Sequence, residues 1–462
     1  MCGILFSLTT AQQQVDPELW QTLTEINTKR GPDSQQTRTI SVGDHFLQFY
    51  STVLHLRGRD NVPQPVCENG NILCWNGEIF DGLSIALGEN DTAALMQHLT
   101  RVDTKNSTAF LKVISRIEGP FAFVFWQEES KRLWFGRDCL GRRSLLWSRN
   151  ENSLVISSAA QPNDKVEWQE VPANGIYSVQ LGKEDEPETP VLLYPWLQQE
   201  ENPRLALPFP RLNRGIPALG TETIDSNNEL PPPDETMQTA VRDFTNVLDD
   251  AVKRRVADIP FIDSVHSRPR VAVLFSGGLD CICLAALAHR HLPVSEPIDL
   301  LNVAFENPRS QNAKQQKKAS GDGGTTNTAT ATVYNTPDRV TGRASVEELR
   351  KIAPERTWHF VEINVPYSEA MTYREHIINL MHPLDTVMDL SIAMALWFAS
   401  RGKGTIDIDG AYEPYESHAR VLISGLGADE QLGGYSRHRE AFRHGGWERL
   451  ISEVCVVTVV SS

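Results

Sequence analysis

Short apolar runs cut by Gly, Asn, Asp and Pro dominate the first part of the chain. The runs Phe46–Tyr50, Ile72–Trp75, Phe121–Trp126, Leu133–Phe135, Leu154–Ser157 and Gly175–Leu181 are rich in β-branched and aromatic residues. Such residues suit a pleated, half-buried surface, so each run predicts a strand. Pro17–Lys29 and Thr92–Leu99 instead space their apolar residues three or four apart, the period of a helix with one buried face. Many strands and few helices predict a mainly antiparallel α+β domain over residues 2–181.

The pattern dissolves over residues 182–235, where Leu207–Pro210 and Pro231–Pro233 predict a linker or irregular crossover. A helical period returns from Thr236 to Ala257. Val271–Phe275 then predicts a buried strand, Cys281–His291 a helix and Leu300–Phe305 the next strand. Strand, loop, helix and strand in succession predict a parallel α/β sheet within residues 236–462. Residues 307–336 are polar and rich in Gly and Thr, too poor in apolar side chains to offset the entropy of folding, and predict a disordered insert. Their basic cluster Lys314–Lys318 reads as a solvated charge run. Order is expected again at Phe360–Asn364, near Leu390–Arg401 and at Val421–Ser424, and Val454–Val460 is a β-prone run.

Composition narrows the function. Hydrophobic residues make up 40% of the 462 positions, enough for substantial cores. Lys plus Arg number 44 against 59 Asp plus Glu, a formal charge of −15, which excludes a fold-wide grip on nucleic acid. No apolar run approaches the ~18–20 residues that span a bilayer, so no membrane segment is expected. The start of the chain lacks the basic-then-apolar order of a secretion signal, and Cys at position 2 excludes myristoylation. Seven irregularly spaced Cys do not form a disulfide framework and point to a reducing compartment, the cytoplasm. Zinc is not expected either: there is no His-Glu-x-x-His, and Cys281 and Cys283 have no partner pair at metal-binding spacing.

Two regions carry candidate chemistry. Cys2 follows the initiator Met, and a small side chain there permits Met removal. Thiol and free α-amine, the latter with a pKa of ~8, would then share one residue, a nucleophile with its base attached. Read alone, Cys2 is equally an ordinary small core residue. Asn76-Gly77 follows a strand and pairs an amide with a backbone N–H, the two donors an oxyanion needs; it is also a hairpin signal. Arg30-Gly31-Pro32-Asp33 is a turn cluster, and Asp91 opens a helix, where a capping role would suffice. In the second half, Ser276-Gly277-Gly278-Leu279-Asp280 joins strand to helix. Backbone N–H groups converge there, two glycines admit a pyrophosphate, and Asp280 suits Mg²⁺. A tight capped turn is the plain alternative, and without Lys this is not a P-loop. Ser424-Gly425-Leu426-Gly427-Ala428-Asp429-Glu430 follows a second strand, and Asp429 could face Asp280 as a second Mg²⁺ ligand.

Taken together and in order, Cys2-Gly3-Ile4, Arg30-Gly31-Pro32-Asp33, Asn76-Gly77-Glu78-Ile79, Asp91 and Arg137-Asp138-x-x-Gly141-Arg142 resemble the class II glutamine amidotransferase domain, an N-terminal nucleophile hydrolase. The resemblance implies Cys2 as nucleophile, an oxyanion hole from Asn76 and Gly77, and glutamine held by Asn76, Glu78 and Asp91. That family grips the glutamine carboxylate with an Arg where Val53 stands here; Arg57 lies four residues on. The two later loops resemble the synthetase domain of asparagine synthetases, of the ATP-pyrophosphatase group. This implies adenine near Leu274 and Val303, pyrophosphate at Ser276, Gly277, Gly278, Leu279, Asp280 and Cys281, a nucleotide contact at Ser424 and Gly425, and Mg²⁺ at Asp280 and Asp429. Leu133–Asp138 and Gln431–Arg439 are similar to the asparagine synthetase domain-containing branch of animals. The implied fold is an α+β nucleophile-hydrolase sandwich followed by an α/β parallel-sheet ATP-pyrophosphatase-type domain.

Three departures qualify the implied activity. Cys281 stands where the family has Ser, and Leu426 where it has Glu, so a hydroxyl contact and a proton-moving group are lost. The chain stops soon after Trp447, so the synthetase-like domain is expected to be incomplete at its C-terminus. The expected function is an asparagine synthetase-type ligase acting on glutamine, aspartate and ATP. The rivals are a non-catalytic scaffold or binding protein, a glutaminase without synthetase activity, and an ATP-pyrophosphatase acting on another carboxylate. A homo-oligomer is compatible with the sequence.

Overall fold

Three six-stranded sheets carry the fold. The computed structural model describes residues 1–10, 15–103, 106–150, 153–162, 166–182, 190–198, 203–209, 234–261, 268–307 and 333–460, with side chains up to Val454. The chain divides into two compact units; the first holds two of the sheets and the second holds the third.

In chain order the strands of the first unit are β1 (Gly3–Thr10), β2 (Ser34–Val42), β3 (His45–Val53), β4 (Val66–Glu68), β5 (Asn71–Gly77), β6 (Phe121–Gln127), β7 (Arg132–Arg137), β8 (Leu146–Arg149), β9 (Ser153–Ser157), β10 (Gln169–Glu170), β11 (Gly175–Gln180) and β12 (Val191–Pro195). Its helices are α1 (Pro17–Thr28), α2 (Asp91–Thr100) and α3 (Ser107–Arg116). The sheets run β10-β8-β9-β1-β3-β2 and β12-β11-β7-β6-β5-β4, antiparallel throughout.

Alternate side chains build the layers. Ile4, Phe6, Leu47 and Phe49 of the first sheet meet Cys74, Val124, Trp126 and Phe135 of the second in one core. The opposite face of the second sheet, with Trp75, Phe123, Phe125 and Trp134, packs under α2 and α3. The opposite face of the first, with Leu5, Tyr50 and Val155, packs under α1. The unit is therefore a helix–sheet–sheet–helix sandwich. Burial on both faces explains why β6 reads as an unbroken apolar run, whereas β2, on an edge and largely exposed, carries no such signal.

Residues 182–235, expected as a linker, begin inside the first unit. β12 pairs with β11 from Val191↔Val179 to Pro195↔Gly175, and Leu205 is buried in the core beneath α2 and α3. This edge strand is short and flanked by Glu and Pro, so the regional composition hid it. Residues 183–189, 199–202 and 210–233, including Pro231–Pro233, lie outside the described residues.

The second unit contains β13 (Val271–Leu274), β14 (Ile298–Phe305), β15 (Trp358–Val365), β16 (Lys403–Ile408), β17 (Ala411–Glu416) and β18 (Val421–Ile423). The helices beyond residue 234 are α4 (Glu235–Val256), α5 (Leu279–His291), α6 (Pro337–Ile352), α7 (Tyr367–Met381), α8 (Val387–Ser400), α9 (Ala428–Leu432) and α10 (Ser436–Val460); all lie in this unit except His376–Leu390, the end of α7 and the start of α8, and Val460, which belong to the first. The sheet order is β17-β16-β15-β14-β13-β18. β15, β14, β13 and β18 are parallel, as expected. β16 and β17 add an antiparallel hairpin turning at Asp409-Gly410, both at positive φ, an Asp-Gly signal for a tight hairpin turn. Most of the insert expected at 307–336 (residues 308–332, with Lys314–Lys318) lies outside the described residues; its last residue, Thr336, caps α6. Val454–Val460 is helical, not extended, because β-branched residues favour strands where a sheet receives them. No helix among the described residues is long and apolar enough to cross a membrane.

Candidate active site

Cys2 sits just before β1, whose start is stitched down on both sides. Gly3 N donates to Thr52 Oγ1 (3.1 Å) and Ile4 N to Ser158 Oγ (3.0 Å). Ser158 N returns a bond to Ile4 O at 2.8 Å. A side chain at Gly3 would meet Thr52 Oγ1 at 2.6 Å and Asn27 O at 2.7 Å, so only glycine lets the terminus lie this close. Cys2 is half-buried; its carbonyl accepts from Arg30 Nε at 3.2 Å and its Sγ lies 3.9 Å from Leu54 O. The Arg30–Asp33 turn is a bracket: a Cβ on Gly31 would run into the Val53 backbone, and Asp33 Oδ2 accepts His55 N at 2.7 Å.

One cavity gathers the rest of the expected site. Cys2, Arg57, Gly77, Glu78 and Asp91 all line it. Asn76, at the end of β5, is 1% exposed, and among the described residues its Nδ2 has no hydrogen-bond partner. A buried amide donor left unpaired costs about 1–3 kcal/mol, so this group awaits an acceptor. Asp91 Oδ2 accepts Ile79 N at 3.0 Å, while Arg57 Nη1 donates to Ile79 O. These two residues hold the peptide after Glu78 from both ends. The helix cap falls to Asn90, whose side chain accepts from Thr92 N and Ala93 N, leaving Asp91 turned into the cavity.

The electrostatics follow from burial. Glu78 is pushed up to about 8, first by burial and then by the neighbouring Asp91, with Arg57 and Arg143 opposing. Burial raises Asp91 as well. Burial also pushes the Cys2 thiol up and takes the Met1 α-amine down to about 5, with Arg30 and Arg143 adding to the fall. A measurable consequence concerns Glu78. Its folded pKa lies above its unfolded value of about 4.3, so between those values the folded chain holds a proton that the unfolded chain loses. Stability from this group is complete below about pH 4 and falls as pH rises towards 8. We expect Glu78→Gln to flatten the fall in unfolding free energy as pH rises from about 4 towards 8, read by urea titrations. An unchanged slope in the variant would contradict the assignment.

Not every quoted motif residue belongs to the cavity. Arg142 Nε pairs with Asp138 Oδ1 at 2.9 Å and its Nη2 donates to Gly119 O at 2.7 Å, while Asp138 Oδ2 accepts Phe121 N at 3.0 Å. This clip fixes the start of β6. Arg57, Thr52 and Ser158 are residues around Cys2 that local patterns do not reveal, because each is brought in by strand pairing or by a loop distant in sequence.

In the second unit both expected loops leave the carboxyl ends of neighbouring parallel strands. β13 pairs with β14 on one side and β18 on the other, so the strand order reverses there, and such a reversal opens a crevice for a ligand. Leu274 closes β13 opposite Leu301, with Val303 further along β14. Gly277 has φ +85°, and a Cβ there would run into Gly342 of α6; Ser345 Oγ donates to Gly277 O at 2.9 Å. Gly278 stands at the N-cap of α5 with no side-chain capping bond, so its first N–H groups are uncapped by side chains. Cys281 is buried, its Sγ 3.1 Å from Gly278 O. Leu279 is exposed. The two loops touch, since a Cβ on Gly425 would lie 2.9 Å from Asp280 Cβ. Asp429 occupies the first turn of α9, with its carboxylate against Gly434. Leu426 is exposed. Among the described residues no three His, Cys, Asp or Glu side chains gather as a metal cage, so a Mg²⁺ at Asp280 and Asp429 would need phosphate or water oxygens as well.

Comparison with known proteins agrees with this division. A family model described as a glutamine amidotransferase domain matches residues 52–162, and one described as asparagine synthase matches residues 243–341. The chain is 37% identical to asparagine synthetase domain-containing protein 1 of Bos taurus, over 98% of this chain and 82% of that one. The Homo sapiens protein of the same name is 36% identical over 98% and 81%. A glutamine-hydrolysing asparagine synthetase of Bacillus subtilis is more distant, 23% identical over 66% of this chain and 48% of its own.

Proposed function

We propose, for a chain that belongs to the asparagine synthetase domain-containing protein family, that the first unit hydrolyses glutamine at Cys2 and the second binds ATP with Mg²⁺ but makes little asparagine. The observation that carries the first part is the buried, unpartnered Asn76 Nδ2 beside a cavity that Cys2, Gly77, Glu78, Asp91 and Arg57 line. A carboxyl pair that shares charge and a guanidinium suit the ammonium and carboxylate of an amino acid, and an amide donor plus a glycine N–H suit a carbonyl oxygen becoming an oxyanion.

Removal of Met1 places the α-amine on Cys2. The thiol proton passes to that amine as sulfur bonds to the glutamine side-chain carbon, and the carbonyl π electrons move to oxygen between Asn76 and Gly77. Collapse of the tetrahedral adduct expels ammonia, which takes the proton from the ammonium and leaves a thioester. Water attacks the thioester, the amine accepts its proton, and glutamate leaves as the thiol is restored.

For the second unit, the uncapped start of α5 and the open space around Gly427 support a pyrophosphate at Ser276–Asp280, with Ser424 and Gly425 alongside. Leu274 and Val303 would flank the adenine, and Asp280 and Asp429 would hold Mg²⁺. ATP supplies the activation of a carboxylate, aspartate being the acceptor expected for this family. Leu426 can neither move a proton nor accept a hydrogen bond, so amidation is the weak step. The test incubates the full chain with glutamine, aspartate, ATP and Mg²⁺, and separately with ammonia in place of glutamine. Glutamate is expected with glutamine present, and little asparagine or AMP in either reaction. Absence of glutamate release overturns the first part, and robust ammonia-dependent asparagine synthesis overturns the second.

A further inference from the structure

The first half of α4 is amphipathic and exposed on every side. Each residue from Glu235 to Val247 is exposed, including Met237 at 55%, Val241 at 55% and Phe244 at 43%. The second half alone is packed: Val252 and Val256 enter the core of the unit, and His291 Nε2 of α5 lies 2.9 Å from Asp249 Oδ1. A helical stretch as short as the exposed half is marginal in water, and helices in proteins gain most of their stability from an apolar face that is covered. That face has a definite pattern. Met237, Val241, Phe244, Leu248 and Ala251 are spaced alternately four and three apart, the seam of a coiled coil, whose knobs fit the holes of a like helix. Arg242, Asp243, Asn246 and Asp250 fall on the opposite face at the helical period. Thr245, beside the seam, donates its hydroxyl to Val241 O at 2.7 Å, so a helix laid there meets no unpaired hydroxyl.

We propose that this face of α4 is a homodimer contact, in which α4 packs antiparallel against α4 of a second copy of the chain. Charge selects both the partner and the direction. The helix starts acidic, with Asp234 and Glu235, and ends basic, with Lys253, Arg254 and Arg255. In an antiparallel pair the acidic start of each helix lies towards the basic end of the other, and the two macrodipoles oppose. A parallel pair would put like ends together. A second copy supplies the seam spacing and the reversed charge at once. A two-fold axis between Val241 and Phe244 sets Val241 of each helix against Phe244 of the other, and Met237 against Leu248, so one patch serves both copies. From Met237 to Leu248 the seam runs about 16 Å. So small a contact forms a weak dimer, at micromolar and higher concentrations.

Sedimentation velocity on the full chain from about 1 to about 100 μM tests this. The wild-type chain is expected to pass from monomer to dimer over that range. Val241→Glu combined with Phe244→Glu puts like charges into the seam and is expected to weaken the dimer by about 100-fold or more, leaving monomer throughout. Both residues are exposed, so the melting curve of this variant should match wild type. Val247→Glu alters the most exposed of the large apolar residues on α4, at 68%, but lies off the seam and should leave the dimer intact. Glu235→Lys turns the acidic start basic and should weaken the dimer roughly fivefold, a loss that a parallel pair would not show. A chain that stays monomeric at the highest concentration, a dimer untouched by the paired Glu substitutions, or one broken equally by Val247→Glu overturns the proposal. A dimer unchanged in Glu235→Lys overturns the antiparallel arrangement.

Discussion

Replacement of Cys2 by Ala will lower glutamate release from glutamine by roughly 10⁴-fold or more, since loss of a nucleophile from an acyl-transfer site costs at least that much. The fold will survive. The β1 terminus is held by Gly3 N on Thr52, Ile4 N on Ser158 and the Cys2 carbonyl on Arg30, and none of these bonds uses the sulfur. The side chain is half-buried and, among the described residues, its one polar contact is the long approach to Leu54 O. Matched melting curves together with lost activity would therefore separate chemistry from folding. Mass spectrometry of the wild-type protein supplies the second arm, because the reaction needs the amine on Cys2. Undiminished glutamate release from Cys2→Ala, or activity in material that retains Met1, contradicts the mechanism.

Arg339→Ala will destabilise the second unit by about 3–5 kcal/mol, the usual cost of leaving a buried charge without its partner. Arg339 is fully buried. Its Nε donates to Asn302 Oδ1 (2.6 Å), Nη1 to Glu362 Oε2 (2.7 Å) and Asn364 Oδ1 (2.8 Å), and Nη2 to the carbonyls of Asn302 (3.2 Å) and Ile363 (3.3 Å). One guanidinium therefore ties α6 to the ends of β14 and β15. Removal leaves Glu362 with Arg343 alone, at 2.7 Å, and strands the amide oxygens of Asn302 and Asn364. The effect reaches the candidate phosphate loop. Asn302 Nδ2 also donates to Phe275 O at 2.7 Å, and α6 backs Gly277 through Gly342 and Ser345. Hydrogen exchange should show β14 and β15 opening faster in the variant, with the loop at 276–280 following. Arg339→Lys will not rescue fully, since an ammonium lacks the planar fork. A loss below about 1 kcal/mol with unchanged exchange would contradict this account.

The central strands were readable before any coordinates because both their faces are buried, which makes β3, β5, β6 and β7 nearly continuous in apolar residues. The strand–loop–helix–strand order of β13, α5 and β14 was readable for the same reason. Edges were not. β2 and β12 border solvent and need fit only one face, and the Asp409-Gly410 hairpin went unread although its turn residues announce it. α6 lay hidden behind the polar stretch that precedes it, despite a Thr336-Pro337-Asp338 start of the kind that caps helices.

The site divides along the same line. Cys2, Asn76, Gly77 and Glu78 sit at strand ends, where local chemistry and chain direction coincide, so adjacent letters already pointed to a nucleophile and an oxyanion donor. The companions of Cys2 come from far away in the chain. Ser158 reaches Ile4 across 154 positions and Thr52 reaches Gly3 across 49, distances that sheet pairing alone closes. Arg57 joins them from the loop after β3, lining the same cavity as Cys2, Glu78 and Asp91. Residue identity and spacing named the candidate groups, and folding brings Cys2, Gly77, Glu78 and Asp91 to one cavity. Which charges surround them, and therefore which protonation state they hold, was settled by burial and by contacts that no local pattern encodes.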